Sequence, residues 1–424
     1  MGDPVVARQP FQLLGHAARS GILHAIPTGH RETTLVVRLD RIAAQLEMRA
    51  AITRTRAARM TAEGDSLTLF IAAIGIAAIA VLQLDEGKMP RFDANASQLD
   101  YQHPAGFRRL REELAAYLAV ARGVRCTADQ VIIVAGAQAG LSLAANLLLD
   151  AGDAVWMEDP GYFLAQAVFQ AADATVIPIP IDREGLTVTE GYARCPDARL
   201  AYVTPSHQFP LGVTMSHARR RQLLQWAQQA DAWIIEDDYD SEYRYTGRPI
   251  PSLQGLDESG RVIYLGTFSK VFFPALRLGY IVAPPALVDP LTNAKRVMGF
   301  HPPLLEQMAM ASFMARGEFT RHIRRMRGLY VERRDYLLTY AAQYLGDKLR
   351  LERAPSGLHL IGWLPEAADE WELAKLADLH GVTVYPLSAF RLGAPSRRGL
   401  VLGFAAFGEA EIEEAVQKLA RALS

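Results

Sequence analysis

Cysteine is nearly absent from this chain: its 424 residues contain two, Cys126 and Cys195. Two thiols are too few for a disulfide framework or a thiolate metal cage, so no structural metal is expected, and a reducing, cytoplasmic setting fits best. Net charge is nearly absent as well, at -1. That removes any global pull toward nucleic acid or an acidic partner. A long apolar run is also missing. The most conspicuous one, "LFIAAIGIAAIAVL" over 69–82, falls short of the about 20 residues a spanning helix needs, so no membrane span is expected. The first residues, "MGDPVVARQPFQLLGH", lack the basic flank and apolar core of a secretion signal. Val6 also stands where a myristoylation signal requires Ser or Thr. What is present is length and apolar content, 50% hydrophobic against 21% charged, enough for two or three domains around a large core.

The texture of the chain changes along its length. Residues 1–64 hold nine arginines against five acidic residues, and 65–98 combine the apolar run with the turn-rich linker "DEGKMPRFDANASQ". From about Leu99, apolar strand-like runs alternate with amphipathic stretches, the pattern of an α/β protein with a parallel sheet. The strand candidates are "QVIIVAG", "AVWMEDP", "TVIPIPI", "RLAYVTP", "AWIIEDD" and "RVIYLGT". After about residue 310, long charged helices lead into "GLHLIGWL", "VTVYPLSAF" and "GLVLGFAAF", which suggests a smaller α+β domain. The expected division is 1–64, a linker over 65–98, a large domain over 99–310 and a small domain over 311–424.

Ligands of an open parallel sheet sit beyond the carboxyl ends of its strands. The residues there are "GAQAG" (136–140), "EDPGY" (158–162), "TPSHQFPLG" (204–212), "EDDYDSEY" (236–243) and "GTFSK" (266–270). Each has a bland reading. "GAQAG" opens an apolar helical run, where its amides can hold a phosphate or merely cap the helix. "EDD" can end a strand, or hold a ring nitrogen protonated for an electron-sink cofactor. Tyr162 can be a packing aromatic or a flat face under a planar ring. Arg277 can be an ordinary ion-pair partner or a phosphate clamp. Lys270 sits among Phe272, Phe273, Leu276 and Leu278, an apolar neighbourhood that would favour the neutral, nucleophilic amine.

In their joint order these motifs resemble the fold-type I, pyridoxal-phosphate-dependent aminotransferases, and within them the aminotransferase-like domain of the MocR group of GntR-type bacterial regulators. The resemblance covers roughly 99–424 and runs from "LDYQHPAGFRRLREELAAYL" through "GAQAG", "GDAVWMEDPGY", "YVTPSHQFPLGVTMS", "WIIEDDYDSEYRY" and "GTFSKVFFPALRLGY" to "HPPLLEQ" and "YPLSAF". It implies pyridoxal 5'-phosphate as cofactor and Lys270 as the Schiff-base lysine. It further implies Asp237 at the pyridine nitrogen, Tyr239 at the phenolic oxygen and Tyr162 stacked on the ring. Thr267, Ser269, Arg277 and the amides of Ala137 and Gln138 would hold the phosphate, with Tyr101 reaching the phosphate of a partner subunit in a homodimer. His207 and Gln208 fall where aminotransferases carry an asparagine near the ring, and the resemblance gives them no definite role.

Two departures stand out. Val401 in "GLVLGFAAF" occupies the position of the arginine that binds a substrate α-carboxylate in ordinary aminotransferases, leaving Arg391, Arg397 and Arg398 as other cations for an amino acid. MocR-type proteins also begin with a winged helix-turn-helix, and "IAAQLEMRAAITRTRAARMTAEG" (42–64) matches that motif only at its ends. Glu47 stands at the turn glycine, and Ala50, Ala51 and Ile52 offer no donors to base edges. A degenerate helical N-terminal region that has lost specific DNA binding is therefore expected. The functional expectation is amino-group transfer on a small-molecule amine or amino acid. The alternatives are a transcriptional regulator that senses the cofactor or an amine, and a decarboxylating synthase.

Overall fold

The computed structural model describes residues 102–423, apart from 248–249 and 394–396. The arginine-rich region 1–64, the apolar run at 69–82 and Tyr101 lie outside these residues.

The apolar runs form an eight-stranded sheet from β1 (Val131–Val134), β2 (Ala154–Asp159), β3 (Thr175–Asp182), β4 (Gly185–Leu186), β5 (Leu200–Val203), β6 (Trp233–Asp238), β7 (Val262–Thr267) and β8 (Gly279–Val282). Their order is β1-β8-β7-β6-β5-β2-β3-β4. Strands β3, β2, β5, β6 and β7 pair in parallel. Strand β8 runs antiparallel between β7 and β1, and the short β4 is antiparallel to β3. The sheet is thus mostly parallel, as the sequence pattern predicts, with β8 as an element that pattern did not reveal.

Helices fill the crossovers: α1 (Arg108–Arg122), α2 (Ala137–Leu148), α3 (Phe163–Ala171), α4 (Val188–Arg194), α5 (His217–Gln229), α6 (Leu253–Leu256) and α7 (Pro285–Met298). Both faces of the sheet are covered, so its central strands read as continuous apolar runs. Side chains alternate between the faces. Val155, Met157, Tyr202 and Ile235 point into one core with Leu141 and Ala144 of α2. Trp156, Ala201, Val203 and Ile234 point into the other with Leu223 and Trp226 of α5. This two-residue period continues to the strand ends and decides which acidic residue faces which side.

Two further helices, α8 (Leu304–Ala315) and α9 (Glu318–Tyr344), precede a four-stranded antiparallel sheet. The charged stretch read as several helices is one, the 27-residue α9. The second sheet contains β9 (Arg350–Leu351), β10 (His359–Trp363), β11 (Tyr385–Pro386) and β12 (Gly399–Gly403), in the order β11-β12-β10-β9. It is accompanied by α10 (Glu370–Leu379) and α11 (Glu409–Ala422). Leu337 and Ala341 of α9 pack with Leu360, Leu400, Leu402, Ile412 and Val416.

The two sheets meet at the end of β2. The amide of Gly161 donates to the Phe390 carbonyl at 2.8 Å. The Asp159 carboxylate accepts from the amides of Leu392 and Gly393 at 2.8 and 2.9 Å. No described helix is long and apolar enough to cross a membrane.

Candidate functional site

The acidic pair at the end of β6 divides by the strand's period. Asp238 faces the side of α1. Its Oδ2 accepts from Arg122 Nε at 2.7 Å and from the Tyr264 hydroxyl at 2.5 Å. Arg122 also donates to Ser206 Oγ and to the Ile250 carbonyl. Burial alone would raise the Asp238 carboxyl, but the Arg122 guanidinium and the Tyr264 hydroxyl outweigh it and hold the group below its ordinary range. This is a structural ion pair, although the second carboxylate oxygen, Oδ1, has no hydrogen-bond partner among the described residues.

Asp237 faces the opposite side, the face of Tyr202 and Ile235. Its Oδ2 accepts the Tyr202 hydroxyl at 2.7 Å, while its Oδ1 is buried and unpartnered. No cation is paired with it among the described residues. Burial pushes this carboxyl up to about 7, assisted by the charges of Asp238 and Asp240, and Lys270 pulls weakly the other way. Asp238 has a free oxygen too, but Arg122 already neutralises its charge, whereas Asp237 has no counter-cation among the described residues, so its free Oδ1 is left to a cationic donor from a ligand.

Lys270 follows β7 on the long connection to β8. The Phe residues around it in sequence do not enclose it. Phe268 packs edge-on against Phe319, and Phe272 stacks on His322 at 4.6 Å. These rings lock the connection onto α9 while the Lys270 side chain emerges exposed. The expectation of an apolar burial for Lys270 is therefore corrected. Its charge reaches Asp237 and His359, lowering both slightly.

The same connection returns to α2. Arg277 adopts a left-handed backbone, φ 51° and ψ 34°, a conformation that costs a non-glycine residue roughly 1–2 kcal/mol. The turn directs its guanidinium to the Ala135 carbonyl at 3.0 Å. Gly136, with φ 89°, caps α2, and a Cβ placed there would lie 3.6 Å from the Arg277 guanidinium carbon. A Cβ on Gly279 would come within 2.9 Å of the Gly136 backbone, so the start of α2 and the β7–β8 connection touch through glycines. Thr267, at the end of β7, accepts the Ser269 amide at 3.1 Å. Ala137 and Gln138 form the first turn of α2, whose free amides and dipole favour an anion. Gln138 Nε2 donates to the Tyr162 hydroxyl at 3.1 Å, fixing that half-buried ring at the start of α3.

The loop after β5 supplies residues that sequence reasoning left without a role. Gln208 points into its own turn, donating to the carbonyls of Pro160 and Phe209 and toward buried Glu158. It is Phe209 that stands between the tyrosines, 5.8 Å from Tyr162 and 6.2 Å from Tyr239 between ring centroids. Buried His207 lies with Nδ1 2.9 Å from both the Tyr239 hydroxyl and Asp240 Oδ2. These contacts join residues 32 and 33 positions apart, and no local motif announces them.

On the side of the second sheet, Phe209 continues into an apolar wall of Ile361, Leu387, Phe390 and Val401. The other cations for a carboxylate are at least partly engaged elsewhere, although the buried Nε of Arg391 has no partner among the described residues. Arg397 lies 4.0 Å over the Trp363 ring, Arg398 donates to the Ala368 carbonyl, and Arg391 donates to the Arg397 carbonyl at 2.6 Å.

This arrangement of a lysine, a buried acceptor, an anion cradle and flat aromatic faces at a sheet edge defines a class. The family described as aminotransferase class I and II matches residues 80–419, and the chain belongs to it. It is 43% identical over 319 residues to the probable rhizopine catabolism regulatory protein MocR of Rhizobium meliloti, covering 75% of this chain and 64% of that protein. The chain thus spans less than two thirds of that relative. It is 30% identical to aromatic-amino-acid aminotransferase 1 of Thermococcus litoralis, over 77% of this chain and 80% of that enzyme. The crystal structure of Pyrococcus horikoshii kynurenine aminotransferase superposes with a TM-score of 0.70 at 30% identity, covering 77% and 82% of the two chains. The fold is that of the fold-type I, pyridoxal-phosphate-dependent aminotransferases.

Proposed function

We propose that this chain binds pyridoxal 5'-phosphate at Lys270 and transfers amino groups between a small amine or amino acid and a keto acid. The observation that carries the reading is Asp237, a buried carboxyl whose Oδ1 is unpartnered and which, unlike Asp238, has no counter-cation among the described residues. A protonated pyridine nitrogen is a donor of the right charge for it, and pairing would ionise a carboxyl that burial otherwise pushes up to about 7. The cofactor, when bound, supplies an electron sink for the substrate's α-carbon. The chain's own residues do the rest. Asp237 keeps the ring nitrogen protonated, with Tyr202 holding the carboxylate in place. Arg277, Thr267, Ser269 and the amides of Ala137 and Gln138 bind and orient the phosphate. Tyr162 offers a flat face to the ring, and Tyr239 donates to the phenolic oxygen. The Lys270 amine would hold the cofactor and would serve as the base that moves a proton at the substrate's α-carbon. Tyr101 would complete the phosphate site of a partner subunit, which makes a homodimer the working unit.

The test is a spectrophotometric panel of amino acids and simple amines added to the cofactor-loaded protein, followed by keto acids. Amino-group transfer predicts that a donor shifts the visible band and a keto acid restores it. No response to any donor would overturn the reading. The MocR-type relative of Rhizobium meliloti, described as regulatory, supports a second reading in which the domain senses an amine without turnover. A band that shifts but is never restored, together with a DNA footprint that survives excess competitor, would favour that reading.

A further inference from the structure

We infer that His207, held by Asp240, is a positioning residue that turns the hydroxyl proton of Tyr239 outward into the site. The role toward a bound cofactor rests on the proposed function, but the geometry stands without it. Nδ1 of His207 lies 2.9 Å from two oxygens, Asp240 Oδ2 and the Tyr239 hydroxyl. A bare Nδ1 would set its lone pair against a carboxylate oxygen in a buried place. With a proton on Nδ1 the same contact becomes a charge-assisted hydrogen bond. The Nδ1–H tautomer follows. It leaves Nε2 as a bare lone pair, in keeping with a buried Nε2 that has no hydrogen-bond partner.

Nε2 is not an open ligand position. A Cβ on Gly357 (φ 93°) would lie 2.0 Å from His207 Cε1 and 2.4 Å from Nε2, and one on Gly212 would lie 3.1 Å from Nε2. Two glycine backbones therefore clamp the ring, and its only working edge is Nδ1.

The consequence falls on Tyr239. Its oxygen sits at the Nδ1–H as a second acceptor, so its own hydrogen cannot point at the imidazole. Two directions remain, toward Asp240 or outward. Asp240 Oδ2 already takes the Nδ1–H, which weakens its hold on a second donor and frees the hydroxyl to point outward. Burial pushes the Tyr239 phenol up most, followed by the charges of Asp240, Asp237 and Glu158 and, least of all, a hydrogen bond toward Asp240, so it stays a donor. The remaining group facing His207 is His359 of β10, its ring 5.3 Å away. Burial and His207 lower His359 to about 4, and its Nε2 donates to the Pro210 carbonyl at 2.8 Å, so it adds no competing charge. Lys270 acts on this group only through space.

Two measurements test the inference. In the cofactor-free full chain carrying ¹⁵N-histidine, the signal lost in His207→Asn identifies His207, and its shifts and couplings report the tautomer. The Nδ1–H form is expected, and an Nε2–H form overturns the inference. In the cofactor-loaded protein, the absorbance band is titrated with pH for wild type, His207→Phe and His207→Asn. Losing the imidazole donor should let Tyr239 turn to Asp240, so the phenolic oxygen of the cofactor loses a donor. The midpoint should rise by about one pH unit in His207→Phe and return toward wild type in His207→Asn, which keeps an N–H donor. An unchanged midpoint in a folded His207→Phe protein overturns the inference. A wild-type protein that forms no band with added cofactor would instead refute the proposed function, and the tautomer then decides this inference alone.

Discussion

The hydroxyl of Tyr202 on β5 donates to Oδ2 of Asp237 on the adjacent strand β6 at 2.7 Å, and nothing among the described residues donates to the other oxygen. Neighbouring parallel strands hold both residues on one face. The bond satisfies half of the carboxylate and aims the free half at the sheet edge. Without a ligand, a carboxyl in this position is costly to ionise.

That cost has a definite pH signature. The Asp237 carboxyl in the fold is raised from 3.8 to about 7, first by burial. A raised folded-state value contributes stability that is full below about pH 4 and is lost as pH rises through 7. In Asp237→Asn the loss disappears. The cofactor-free variant should therefore gain on wild type as pH goes from 4 to 8, by an amount on the order of a few kcal/mol. Urea denaturation at both pH values checks it, and a difference independent of pH would contradict the assignment.

Asp238→Asn should behave in the opposite way. It leaves Arg122 buried without its counter-charge, and breaking such a pair typically costs about 3–5 kcal/mol. The expected result is a marked fall in the denaturation midpoint at pH 7. Whatever cofactor the surviving folded protein binds should keep its ring protonated as in wild type. A larger spectral effect in Asp238→Asn than in Asp237→Asn would show that the two carboxylates have been given each other's roles.

At the wall facing Phe209, Val401 is 7% exposed among Ile361, Leu387 and Phe390. A guanidinium there would be desolvated unless an anion joined it, so Val401→Arg should lower stability by roughly 1–3 kcal/mol. Substrate carboxylates should offset part of that. In band titrations, the preference for L-phenylalanine over 2-phenylethylamine is expected to rise about tenfold or more, the size of a charge-assisted hydrogen bond. An unchanged ratio in the folded variant would place residue 401 away from the substrate.

The outline of this architecture was legible because its strands are apolar runs that end in polar residues. "AWIIEDD" became β6 with Asp237 at its end, and "RVIYLGT" became β7 leading to Lys270. Strand β8 was hidden because it is only four residues, "GYIV", and begins within the motif that carries Lys270 and Arg277, so no separate apolar run marks it. The burial of Lys270 was misread because apolar neighbours in sequence are not neighbours in space. Phe268 and Phe272 turn to α9, and the lysine turns out between them. The His207–Asp240–Tyr239 contact could not be read at all, since it joins two loops only through the pairing of β5 with β6.

The central claim is that Lys270 is the attachment point of pyridoxal 5'-phosphate, and one measurement addresses it directly. Purified full-length protein is mixed with the cofactor, its visible absorbance is recorded, and the complex is reduced with borohydride, digested and mapped by mass spectrometry. The account predicts a visible band that reduction abolishes, with the pyridoxyl group on Lys270 and no band in Lys270→Ala. A label on Lys295 or any other lysine, or no band at saturating cofactor, would contradict it.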